Sequence, residues 1–136
     1  MRIVNRVPPN FDAIVAAIPR ASNPNVIFTY GDTIYRPSGK EMSPWVLAHE
    51  EVHSRRQGRD PDAWWRSYLS DMKFRFNEEL LAHRVEWITW CDSGNRNRHD
   101  KRAMMRIIAG RLSGSLYGDL VDFDRAKQLI LAEPPR

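Results

Sequence analysis

The sequence predicts a mostly helical α+β fold with one small β-hairpin near the N-terminus, in a single domain over residues 1–136. Two β-prone runs flank a Gly-Asp pair between residues 26 and 36. From residue 43 onward, signals that begin and end helices recur along the chain. The chain has 136 residues, 42 % of them hydrophobic, and shows no internal repeat or composition shift. This length and composition are typical of one domain.

The first third of the chain predicts one helix and the hairpin. Asn10 follows two prolines and is a suitable N-cap for a short helix over residues 11–18, which the segment 19–24 ends with its two prolines. Residues 26–30 and 33–36 are rich in β-branched and aromatic side chains. The Gly-Asp pair between them is typical of a two-residue hairpin turn.

The rest of the chain predicts five helices. Ser43 is a suitable N-cap with Pro44 at the first helical position, and Gly58 is a natural stop, so the first of these helices should span residues 44–57. Signals of the same kind predict four more, opening at Asp60, running over residues 75–91 and 100–112, and extending from residue 122 to before residue 134.

Composition argues against a membrane protein and against a disulfide-stabilised one. The longest uninterrupted apolar stretch, residues 13–18, is far shorter than the ~20 residues that span a bilayer. The single cysteine, Cys91, cannot form an intramolecular disulfide. We therefore expect a cytoplasmic protein that has no membrane partner.

The charge distribution leaves two interpretations. The net charge is +4, and the densest basic run contains Arg96, Arg98, Lys101, Arg102 and Arg106. Such a run is typical of a nucleic-acid partner or of a solvated helix face. Because the run is short and no Gly-rich phosphate loop, zinc knuckle or RNA-binding signature accompanies it, a solvated face is the simpler interpretation. We do not expect nucleic acid to be the partner.

The predicted helix over residues 44–57 contains the pattern His-Glu-x-x-His, formed by His49, Glu50 and His53. Residues four apart lie on one face of a helix, so the two histidines can direct a ring nitrogen at one metal ion. Glu50 can reach a water on that ion without binding the ion itself, which is where a general base is needed. The sequence therefore predicts a metal site on this helix.

A catalytic zinc takes three protein ligands and a water, so two histidines leave the site one ligand short. The extended metzincin pattern is absent, because Arg56 and Arg59 stand where it needs Gly and His. A carboxylate from a following helix is the other solution, and the helix over residues 75–91 offers Glu79. Asp60 and Asp62, in the turn after the first helix, are rival ligands.

The choice within the helix over residues 75–91 lies between two neighbours. Glu78 and Glu79 point about 100° apart, so one of them should face the ion. We favour Glu79, because Ala82 lies on the same face and is small enough to let two helices approach. His83 and Glu86 lie near the same stripe, and His83 is either a partner of the site or a polar residue at the edge of the helix pair.

With Glu79-x-x-Ala82 on the next helix, the chain resembles the gluzincin group of zinc metallopeptidases. More narrowly, it is similar to small phage-encoded metallopeptidases. Those proteins carry His-Glu-x-x-His, Trp-Trp-x-x-Tyr, Phe-Arg-x-x-x-Glu-Leu-x-Ala and Leu-Ser-Gly-x-x-Tyr-Gly segments. The corresponding segments here are residues 49–53, 64–68, 74–82 and 112–118, and the resemblance covers about residues 43–132.

The resemblance implies a minimal zincin-like fold and a peptidase that hydrolyses peptide bonds in a peptide or protein substrate. His49, His53 and Glu79 would bind Zn²⁺, and Glu50 would act as general base. These residues do not include the large C-terminal domain that supplies a transition-state histidine in long gluzincins, so we expect a stabiliser of the transition state to come from within the 136 residues. We favour Tyr117, in a glycine-flanked turn; His83 and His99 are alternatives.

Other functions stay open at this level. A substrate peptide could lie along the exposed edge of the hairpin. The chain could instead be a zinc-binding or virion-associated module that does not turn over substrate, or a basic nucleic-acid-binding protein in which the motif is incidental. A phage-encoded protein of this kind would act in the host cytoplasm. The residues leave the cleavage specificity and the oligomeric state undetermined.

Overall fold

Six α-helices and a three-stranded sheet make up residues 1–132, the part of the chain that this computed structural model describes. The strands are β1 (Arg2–Val4), β2 (Phe28–Tyr30) and β3 (Thr33–Tyr35). The helices are α1 (Phe11–Ala17), α2 (Pro44–Gln57), α3 (Pro61–Ser70), α4 (Met72–Asp92), α5 (Arg98–Leu112) and α6 (Phe123–Leu131). Short 3₁₀ turns lie at Pro19–Ser22 and Ser115–Tyr117. The prediction of a mostly helical α+β fold with a small sheet is confirmed.

The sheet contains the predicted hairpin and one strand that was not predicted. β2 and β3 pair antiparallel around the turn at Gly31, whose positive φ of 63° suits glycine. β1 pairs with β3 in parallel, with Ile3 opposite Ile34. β3 is therefore the central strand, and β2 is the edge of the hairpin that β1 leaves uncovered.

Helix boundaries differ from prediction where a cap was overlooked. Asp71 accepts hydrogen bonds from the backbone of Lys73 and Phe74, so α4 begins at Met72 rather than at residue 75. Asn97 caps α5 in the same way, so α5 begins at Arg98 rather than at residue 100.

None of the helices in residues 1–132 is both long and apolar enough to cross a bilayer.

Two apolar clusters make up the core. One cluster joins α1, the hairpin and α3, and includes Ile14 and Trp65. The other joins α4, α5 and α6, and includes Ile108; Leu116 packs against both clusters. Among the described elements α2 packs most extensively against α4, where Ala82 is fully buried. The close approach of these two helices brings the predicted ligands together.

Candidate metal centre

One stripe of α2 is hydrogen-bonded to the hairpin. Thr29 Oγ1 donates to Glu50 Oε2 over 2.7 Å, and Ser54 Oγ donates to the carbonyl of Gly31 over 2.6 Å. Gln57 donates to the carbonyl of Thr29 and accepts from the amide of Gly31. Positions 50, 54 and 57 recur at helical spacing, so a single face makes all of these bonds. They fix α2 against β2 and orient the Glu50 carboxylate.

The neighbouring stripe of α2 carries the two histidines and meets α4. His49 Nε2 and His53 Nε2 lie 3.2 Å apart. Glu79 Oε2 lies 3.2 Å from His49 Nε2, and Glu79 Oε1 lies 3.3 Å from His53 Nε2. All three side chains are buried. The structure thus brings the three predicted ligands together at one point between the helices.

The spacing of these atoms suits a metal ion. Four ligands placed tetrahedrally at the ~2.0–2.1 Å typical of zinc are separated from one another by about 3.3–3.4 Å. The three spacings of 3.2, 3.2 and 3.3 Å are close to that edge length. Two imidazoles and a carboxylate are also a ligand set used by catalytic zinc sites. His49, His53 and Glu79 therefore form a buried group that could hold a metal ion.

Glu86 and His83 lie on the other side of the His49 ring. Glu86 Oε1 is 2.8 Å from His49 Nδ1, although off the direction of an aligned ring N–H bond, and 3.6 Å from His83 Nδ1. With His49 they form a second buried His/Glu group. Because His49 turns its Nε2 to Glu79 and its Nδ1 to Glu86, Glu86 is suited to orient the ligand ring.

The shifted pKa values show how strongly these groups interact. Burial lowers the pKa of His49, but its contacts with Glu79 and Glu86 outweigh burial and hold that pKa well above 6.5. Burial raises the pKa of Glu79, and the two imidazoles outweigh it and bring that pKa well below 4.5. Burial raises the pKa of Glu86, but His49 and His83 outweigh burial and lower that pKa to about 2. The contacts of His49 with the two carboxylates thus favour the protonated form of its ring.

Hydrogen bonds separate the roles of the two neighbouring glutamates of α4. Glu78 accepts from Arg56 Nε over 2.9 Å and from Trp64 Nε1 over 3.1 Å, so both of its oxygens are engaged away from the histidines. Glu79 accepts from Tyr68 Oη over 2.7 Å while it faces the histidines. The geometry therefore distinguishes Glu79 from Glu78 as a ligand candidate.

The rival residues lie elsewhere. Asp60 caps α3 through the backbone of Ala63, and Asp62 accepts a hydrogen bond from Tyr30. Both aspartates are exposed, and neither belongs to a metal-competent group within the described residues. His99 is exposed near the start of α5, outside the cavity of the site. The fold therefore does not place these three residues beside His49 and His53.

Tyr117 lies at the site, held there by its own turn. It is buried, lines the cavity, and its ring centroid is 6.4 Å from that of His83. Burial, and next the charge of Glu79, raise the pKa of Tyr117, so its phenol stays protonated as a donor. Arg75 Nη1 donates to the carbonyl of Leu116 over 2.9 Å, and Arg75 Nε donates to that of Tyr68 over 2.8 Å. Arg75 thereby ties the turn that carries Tyr117 to the end of α3.

The ionisable groups open into a cavity of about 250 Å³. Glu50 and the three candidate ligands line one part, and apolar side chains that include Ile14, Ile18 and Phe28 line much of the rest, together with Arg20 and Arg111. The edge of β2 is closed at Thr29, because its carbonyl already accepts from Gln57 and Trp65. This hairpin edge is therefore not open to an added peptide strand at Thr29, contrary to expectation; residues 26–28 instead form part of the cavity wall.

Sequence reasoning missed the partners of the site residues. Thr29 had no distinguishing signal, because a threonine in a β-hairpin is ordinary. Tyr68 belongs to the Trp-Trp-x-x-Tyr segment, which could have indicated its bond to Glu79. The sequence placed Glu86 near the helix face that carries Glu79, but it did not predict the contact between Glu86 and His49.

No protein-family model, curated protein or solved structure matches this chain.

Proposed function

We propose that the protein is a zinc-dependent peptidase in which His49, His53 and Glu79 hold the ion and Glu50 is the general base. The observation that carries the proposal is the mutual spacing of 3.2–3.3 Å among the three ligand atoms, with Glu50 lining the same cavity. Burying so many ionisable side chains costs free energy unless they pair or bind an ion, so such clusters concentrate at functional sites.

His49, His53 and Glu79 would hold the zinc, which would supply a Lewis acid for a peptide carbonyl and for a water whose pKa it would lower toward ~7. Glu50 accepts a proton from the attacking water and later delivers it to the leaving amine. Thr29 holds the Glu50 carboxylate through the bond to Oε2, which leaves Oε1 for the proton. Glu86 keeps the His49 ring in its orientation.

The cavity supports a peptide as the substrate. Its apolar wall suits an aliphatic or aromatic side chain next to the bond that is cut. Tyr117 keeps its phenol proton and lies beside His83, so it is suited to donate a hydrogen bond to the oxyanion that develops on the carbonyl. The protein thus has candidates for ligand, base and stabiliser within one cavity.

Zinc titrated into metal-free protein at pH 7 should saturate at about one ion per chain and release about one proton. The reason is the raised pKa of His49, which must lose its proton to become a ligand. Affinity should therefore fall as the pH is lowered. Isothermal titration calorimetry in buffers of different ionisation enthalpy measures the stoichiometry and the proton release together.

A peptide-library digestion with the zinc-loaded protein completes this test. Cleavage that stops on adding a chelator and returns with zinc supports a peptidase. One bound zinc without cleavage of any library member would point to a zinc-binding module that does not turn over substrate. No saturable zinc binding would contradict the metal site itself.

Thr29→Val should lower kcat/KM by about tenfold or more while zinc stays bound, because partners that orient active-site groups typically contribute 10–100-fold. Valine keeps the shape of this buried side chain and removes the hydroxyl that holds Glu50. Thr29→Ser, which keeps the donor, should restore most of the activity. Equal activity in both variants would mean that the hydroxyl only fills space.

A further inference from the structure

A second concave surface lies between α4, α5 and α6. This groove, of about 350 Å³, is lined by five cations, Arg98, Lys101, Arg102, Arg106 and Lys127, and by no acidic residue. Four of the cations recur every one to four residues along α5, and Lys127 faces them from α6. The basic run in the sequence is therefore joined by a second helix to make a groove, rather than forming only a solvated helix face.

The positive charge in this groove is not neutralised from within the described residues. Among residues 1–132, the one Lys or Arg side chain within 4 Å of a carboxylate is Arg56, which pairs with Glu78, and neither of these residues lines the groove. None of the five groove cations has a carboxylate oxygen within 4 Å among residues 1–132. The net charge of the whole chain is only +4, whereas the cations that line the groove carry five positive charges. Gathering like charges in one groove is unfavourable alone and favours an anionic partner.

Aromatic side chains lie beside these cations. Trp87 is half-buried in the groove and stacks on Trp90, with ring centroids 5.5 Å apart and planes 29° apart. Phe123, the first residue of α6, lines the opposite side and is 38 % exposed. A basic groove and aromatic rings that reach its surface are the two features that bind single strands, since phosphates contact the cations and bases stack on the rings.

We propose that this groove binds single-stranded nucleic acid. Phosphates would contact the α5 cations and Lys127, while a base would stack on Phe123 or Trp87. The concave shape and the aromatic walls favour a single strand over a flat anionic surface such as a membrane. Glu86 lines the metal cavity whereas Trp87 lines the groove, and neighbouring residues of a helix point about 100° apart. The groove is therefore a separate site, and its occupancy does not depend on the proposed peptidase activity.

Fluorescence anisotropy with labelled oligothymidylate and oligouridylate of about 20 nucleotides tests the proposal on the full chain. The triple variant Arg102→Gln, Arg106→Gln, Lys127→Gln should weaken binding at least ~10-fold at ~50 mM NaCl. It should also reduce the slope of log affinity against log salt by about 2, because each lost phosphate contact on a single strand contributes ~0.7. Phe123→Ala should weaken binding about fivefold or more through lost stacking.

The matched control removes the same charge elsewhere. Arg2, Arg59 and Arg66 are exposed and outside both cavities, so the variant Arg2→Gln, Arg59→Gln, Arg66→Gln should bind almost as wild type does. The ratio of the affinities for oligothymidylate and oligouridylate then shows whether the groove prefers single-stranded DNA or single-stranded RNA. The proposal is overturned if both triple variants weaken binding equally, if the groove variant binds as wild type, or if wild type binds neither oligonucleotide, whether or not it binds phosphatidylserine vesicles.

Discussion

Glu50→Gln is expected to retain zinc and the fold but to lower peptide hydrolysis by at least ~100-fold, the low end of what a general base contributes. Glutamine keeps the size of the side chain and can still accept the hydrogen bond from Thr29. It cannot accept the proton of the attacking water. The measurement is kcat/KM on a peptide that the wild type cleaves, with zinc content determined on the same samples.

The neighbouring glutamate provides the control for this substitution. Glu51 is half-buried and does not line the cavity, so Glu51→Gln should change the rate little although it alters charge by the same amount. If Glu50→Gln cleaves as fast as wild type, the assignment of the base is wrong. A Glu50→Gln variant that loses zinc as well would place Glu50 among the ligands instead.

Glu79→Gln should weaken zinc binding by more than ~100-fold, whereas Glu78→Gln should leave it nearly unchanged. A ligand contributes more than the orienting partners, whose removal typically costs 10–100-fold in affinity. Glu79 lies within 3.3 Å of both imidazoles, whereas Glu78 is bonded to Arg56 and Trp64. His49→Ala and His53→Ala should each abolish tight binding too. Competition with a fluorescent zinc chelator measures these affinities.

This pair of variants also tests the register of α4. The two side chains are adjacent, equally charged and buried, so a general loss of charge would affect them alike. Loss of zinc in Glu78→Gln with retention in Glu79→Gln would mean that α4 is turned by one residue relative to α2. Thermal melts of both variants check that the fold persists, since glutamine still offers an acceptor to Trp64 or Tyr68.

Local signals were sufficient to locate most of the helices. The residues Pro44 and Gly58 marked α2 at both ends, because proline suits the first turn and glycine tolerates the positive φ of 57° observed after the last. The start of α4 was misplaced because the Asp71 cap was overlooked, although it is itself a local signal. β1 could not be found locally, since its partner strand β3 lies about thirty residues away and pairs in parallel.

The features of the candidate site also divide into those that a local pattern predicts and those that depend on packing. The sequence by itself determined that His49 and His53 share a face of α2 and that Glu50 projects about 100° from His49, because these relations follow from the 3.6-residue period of one helix. Only the tertiary structure decided between Glu78 and Glu79, since that depends on how α4 is rotated against α2, and the bonds from Arg56, Trp64 and Tyr68 define that rotation. It alone also brought Thr29 to Glu50, and Lys127 to the cations of α5. Such contacts join residues far apart in the chain, and packing rather than any local pattern determines them.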